Sequence, residues 1–100
     1  MDKYSVKLMS RAMRDLERIY TYIAETFLEP GTALALTEEV QAAVLSLDHM
    51  PYRCPERTLG VYANCGYRQL LVKKYTIVYR VDEANKQVII VTIRYSASDF

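Results

Sequence analysis

The spacing of apolar residues changes once along this chain, and that change limits its fold more than any other feature. From Ala12 to Leu47 the apolar residues recur at helical intervals; from Tyr67 to Tyr95 they alternate or run together as in strands. A chain of 100 residues has room for one hydrophobic core, so both halves must share it. Residues 1–100 are therefore expected to form a single α+β domain.

The segments follow from this pattern. Tyr4 to Leu8 alternates and predicts a short first strand, with Ser10 suited to cap a helix. Ala12, Leu16, Ile19, Tyr20, Ile23 and Phe27 form one stripe, with Arg11, Arg14, Asp15, Arg18 and Glu25 expected largely on the far side. Pro30 and Gly31 break the pattern, and Leu36, Val40, Ala43, Val44 and Leu47 begin a second stripe. Pro30 suits the first helical position or Thr32 the cap, while Glu38 and Glu39 are placed early, where the helix dipole favours anions. So short a link predicts an antiparallel helical hairpin. Residues 51–66, with two prolines and two glycines, read as a long loop.

Strands are then expected over Tyr67–Val72, Tyr75–Val81 and Val88–Ile93. They are joined by a Lys73-Lys74 turn and a polar hairpin loop with Asn85 as its left-handed residue. Val88–Ile93 is apolar on both faces, as befits a central strand. The predicted order is β-α-α-β-β-β, an N-terminal strand, a two-helix hairpin and a mainly antiparallel sheet with the hairpin on one face.

Charge is uneven. Residues 1–50 carry five basic and eight acidic side chains, whereas residues 51–100 carry eight basic and four acidic ones, with six of the nine tyrosines. Arg68, Arg80 and Arg94 would put cations on the sheet's uncovered face, where a phosphate could be held; strand arginines also commonly just fill a solvent face. Cys54 and Cys65, with only His49 as a further ligand type, do not make a zinc pattern and read as reduced thiols. No apolar run approaches a membrane span and the first residues lack a secretory core, so a cytoplasmic protein is expected.

Across nearly its whole length the chain resembles the RelE/ParE superfamily of bacterial toxins. The likeness is carried by Asp15-Leu16 and Tyr22-Ile23-Ala24 in the first helix, Leu47 and Met50-Pro51 after the second, and Gly66-Tyr67-Arg68-Gln69-Leu70. Tyr75-Thr76-Ile77-Val78-Tyr79-Arg80-Val81 and the closing Ile93-Arg94-Tyr95 complete it. The resemblance implies a toxin neutralised by a cognate antitoxin that lays an amphipathic segment over the helices and sheet edge. An exposed apolar groove is therefore expected there, with Tyr20, Leu28 or Phe100 as contacts. No cofactor or metal is implied.

Two branches of the superfamily differ in target. RelE-like members cleave mRNA on the ribosome, which needs a base, cations for the phosphorane charge and a donor for the leaving oxygen. They usually carry an arginine where this chain has Thr76, and some carry a histidine where it has Ser96. If the chain were an RNase, Arg68, Arg80, Arg94, Tyr95 and Glu56 are the residues that would serve; His49 is read as an ordinary loop side chain. ParE-like members poison DNA gyrase by binding and need none of these groups. The two losses and the Arg-Gln-Leu and Ile-Val-Tyr-Arg-Val stretches favour the ParE-like branch. RNase activity, or a non-toxic relative that only binds antitoxin, are the alternatives.

Overall fold

A computed structural model describes residues 3–97. The chain runs β1 (Ser5–Leu8), α1 (Ser10–Thr26), α2 (Pro30–Leu45), two short 3-10 turns (Ser46–Asp48 and Pro51–Arg53), β2 (Arg68–Val72), β3 (Tyr75–Asp82) and β4 (Gln87–Tyr95). This is the predicted order. The sheet is arranged β1-β4-β3-β2, antiparallel except where β1 lies parallel to β4. β4 is thus flanked on both sides, and every residue from Val88 to Ile93 is buried, as its unbroken apolar run requires.

The helical hairpin covers one sheet face. Ala12, Leu16, Ile19 and Ile23 of α1 and Ala33, Val40 and Val44 of α2 enter a common core with Leu47, Ile77, Tyr79, Val88, Ile90 and Ile93. Register mates in a sheet share a face, so Ile77 opposite Ile93 and Tyr79 opposite Ile90 define the covered side. Between these pairs the register slips at Val78/Tyr79, a bulge that gives β4 one extra residue.

Several local expectations are corrected. Ser10 begins α1 rather than capping it; Met9 holds the cap position and no side chain bonds there. Tyr20 and Phe27 stand at the rim of the α1 stripe, 37% and 58% exposed, while Asp15, expected on the solvent side, is buried. Pro30 does open α2, where its missing N–H costs nothing. Glu38 and Glu39 fall past the first turn, out of the dipole's reach; Glu39 instead lies 4.0 Å from Lys73. In the β3–β4 hairpin the left-handed residue is Lys86, because Asn85 is engaged by Asp82, whose carboxylate accepts its side-chain amide at 2.9 Å. The expected loop over 51–66 contains the Pro51–Arg53 turn and a bridge pairing Glu56 with Arg68.

Candidate functional site

The three sheet arginines do not share a surface. Arg68 pairs with Tyr79 and so lies on the covered side, beyond the helices, where the 51–56 segment packs. Its guanidinium donates to the Cys54 carbonyl at 2.6 Å and, more weakly, to that of Tyr52 at 3.4 Å. It also stacks 5.1 Å over the Tyr52 ring and sits 3.7 Å from the Glu56 carboxylate. The expectation that Arg68 projects into water is therefore corrected: its side chain is 21% exposed and holds a loop. Glu56 and Arg68 are brought together; Arg80 and Arg94 are not part of that group.

Arg80 and Arg94 lie on the opposite face. Arg80 is exposed and pairs with Ile89, whereas Arg94 is half-buried and pairs with Thr76, four residues earlier in β3, and its side chain reaches round the strand to a groove beside α1. Tyr95 pairs with Tyr75 on the covered side, the two rings meeting edge to face at 5.8 Å. Burial, and then the charge of Tyr95, raise the Tyr75 phenol above its ordinary pKa.

The two positions at which the RNase branch carries charged or titrating side chains do meet. Thr76 Oγ1 and Ser96 Oγ are 2.8 Å apart, and the Ser96 N–H donates to the Lys74 carbonyl at 2.7 Å. The pair is two neutral hydroxyls bonded to each other.

A second polar node closes the other end of the sheet. Glu83 accepts from the Tyr4 hydroxyl at 2.7 Å and the Tyr52 hydroxyl at 2.8 Å, and pairs with Lys86. The Lys86 bond, followed by the two tyrosines, lowers the Glu83 carboxyl to a pKa of about 2; the same carboxylate raises that of Tyr52. The exposed His49 Nδ1 lies 2.5 Å from Asp48 Oδ1, and Tyr79 donates its hydroxyl to the Pro51 carbonyl at 2.5 Å. Cys54 is buried and Cys65 exposed, both as free thiols.

Two open grooves flank α1. One, of about 860 Å³, is lined by Leu8, Met13, Leu16, Tyr20, Val44 and Leu45 among others. The other, of about 1230 Å³, has Ile19, Ile23, Leu36 and Ile93 in its lining, with Tyr22, Phe27, Tyr75 and Tyr95. Arg18, Lys73, Lys74 and Arg94 also line it. Tyr20 thus lines a groove, Leu28 is 81% exposed in the helix–helix link, and Phe100 lies outside the described residues. Among the described residues, no helix is long and apolar enough to cross a membrane.

A family model described as the ParE toxin of the type II toxin–antitoxin system, parDE, matches residues 6–100. The chain belongs to the ParE toxin family. The fold of this toxin is similar to a chain of the chromosomal ParDE toxin–antitoxin system from P. aeruginosa, with a TM-score of 0.78 and 23% identity over 95% of this chain and 98% of that one. It is also similar to a chain of the RelBE2 toxin–antitoxin complex of Mycobacterium tuberculosis (TM-score 0.63, 22% identity, 98% and 97% covered). Similarity extends to the intact E. coli RelBE complex (TM-score 0.64, 11% identity, 95% and 99% covered). At such identities these structures speak for the fold. No curated protein matches the toxin.

Sequence reasoning misses the roles of Tyr52 and Glu83, and of Asp15, whose carboxylate accepts from the Thr92 hydroxyl and the Ile93 N–H. Asp15 had a usable signal: it sits three residues after Ala12 and four before Ile19, within the buried stripe. For Glu83 only Lys86, three residues on in the same hairpin loop, is visible locally; its tyrosine partners are 79 and 31 residues away in the chain.

Proposed function

We propose that this ParE-family toxin acts by binding DNA gyrase, and that a cognate antitoxin neutralises it. The observation that carries the reading is the Thr76–Ser96 hydroxyl pair. A ribonuclease at this site would need a permanent cation against the phosphorane and a group able to give or take a proton near neutral pH. Arg94, opposite Thr76, is a cation beside the pair, but two hydroxyls bonded to each other supply no group that exchanges a proton near neutral pH. The engagement of Arg68 by loop carbonyls points the same way, since it diverts the guanidinium from a phosphate.

Antitoxin binding is supported by the two apolar grooves beside α1. An amphipathic segment that is unfolded when free would bury its apolar face there and order as it binds. The basic side chains around the larger groove favour an acidic segment.

The test is induced expression of the toxin alone, with translation and DNA supercoiling followed separately. Loss of gyrase supercoiling while translation continues is the expected result. Early translation arrest with cleaved messages would replace this reading with an RNase one. Unimpaired growth would leave a relative that binds antitoxin and poisons nothing.

A further inference from the structure

The two grooves beside α1 differ in what surrounds their apolar floors. Among the described residues, the smaller has one charged side chain in its lining, Glu17. The larger is rimmed by four cations, Arg18, Lys73, Lys74 and Arg94, against two carboxylates, Asp15 and Glu29. Asp15 turns its carboxylate into the sheet, where it accepts from the Thr92 hydroxyl and the Ile93 N–H. A third carboxylate, Glu39, lies 4.0 Å from Lys73, and Lys74 forms no ion pair with a described residue. With Glu39 counted, cations still outnumber carboxylates at this rim.

Three phenols converge on the same space. Tyr75 and Tyr95 are register mates on β3 and β4, their rings edge to face at 5.8 Å, and Tyr22 of α1 lines the groove with them. Burial, then the charges of Tyr95 and Tyr22, raise the Tyr75 phenol, so the three hydroxyls are near enough to act on one another. Among the described residues none of these hydroxyls has a hydrogen-bond partner. Hydroxyl donors gathered beside a cationic rim lack one thing, an acceptor able to take several of them at once. An ionised oxyanion is such an acceptor. The floor decides which oxyanion fits. Ile19, Ile23, Leu36 and Ile93 make it aliphatic, which offers nothing to a nucleotide's phosphates but takes the apolar face of an amphipathic peptide.

We propose that the hydroxyls of Tyr22, Tyr75 and Tyr95, with Lys74 beside them, anchor a carboxylate of the partner segment, an Asp or Glu whose apolar neighbours fill the groove floor. This rests on the reading that an antitoxin segment occupies the groove, and names the side chain the segment must present there. The probes are synthetic amphipathic peptides with identical apolar residues and Glu, Gln or Lys at their polar positions, titrated calorimetrically into the toxin. Tyr75→Phe/Tyr95→Phe keeps both rings and removes two hydroxyls. Tyr20→Phe, in the smaller groove, is the control.

The parent toxin should bind the Glu peptide about tenfold more tightly than the Gln peptide, and the Lys peptide least. The double variant should melt as the parent does and lose most of that preference, while Tyr20→Phe keeps it. Should the double variant melt lower, Tyr95→Phe alone, at a position 44% exposed, takes its place. Equal binding of the Glu and Gln peptides, or a full Glu preference in the folded variant, would overturn the anchor and leave the groove reading standing. ADP binding more tightly than the Glu peptide would overturn it in favour of a nucleotide site. Failure of all three peptides to bind the parent would overturn the groove reading and the anchor with it.

Discussion

Asp15 gives the most direct test of how the helices are seated on the sheet. β1 pairs with Gln87–Ile90 only, so β4 runs on past the end of its neighbour. At that place the Asp15 carboxylate accepts the Ile93 N–H at 3.2 Å and the Thr92 hydroxyl at 2.5 Å. Asp15→Ala would leave a backbone N–H and a hydroxyl buried without an acceptor. Each such orphan costs about 1–3 kcal/mol, so with partial relaxation the pair should cost about 3 kcal/mol. Arg18, 3.6 Å from Asp15 but 76% exposed, adds little. In a domain of this size about 3 kcal/mol lowers the melting temperature by roughly 12–24 °C. Urea unfolding should show the midpoint falling with an unchanged slope. Asp15→Asn keeps one acceptor and should lose about half as much. Adding Thr92→Val to Asp15→Ala removes one orphaned donor, so the double variant should be less destabilised than the sum of the singles. A cost below about 0.5 kcal/mol for Asp15→Ala would refute this account of the β4 edge, because it would mean that water or a shifted helix satisfies both donors.

Two further outcomes follow from the packing and the Glu83 node. Glu83 has a folded-state pKa of about 2 against an ordinary 4.5, so the stability it contributes is present above 4.5 and lost as pH falls towards 2. Across that window the urea midpoint of the parent should drop more than that of Glu83→Gln; parallel curves would show that the node does not favour the charged form. Ile19→Ala empties a position that is 9% exposed and should cost about 2–4 kcal/mol, so an unchanged melting temperature would place the α1 stripe elsewhere.

Element order, the helical hairpin, the central place of β4 and family membership were all legible in the sequence. Each depends on local spacing: a period of 3.6 or 2, a proline that can only open a helix, a run apolar on both faces. Thr76 and Ser96 could also be marked as the positions where the RNase branch differs. That their hydroxyls bond to each other could not be foreseen, because they are 20 residues apart and meet only through the β3–β4 register. The expectation of one basic surface failed for a related reason. Arg68, Arg80 and Arg94 are alike in sequence, but strand parity and register send Arg68 to one side and the other two to the opposite one. Burial of Asp15 likewise depended on where β1 stops, which decides that a backbone N–H of β4 needs an acceptor. Local chemistry thus determined which segments form, while the long-range pairing of strands decided which polar groups face one another, since register is a property of two segments and neither carries it alone.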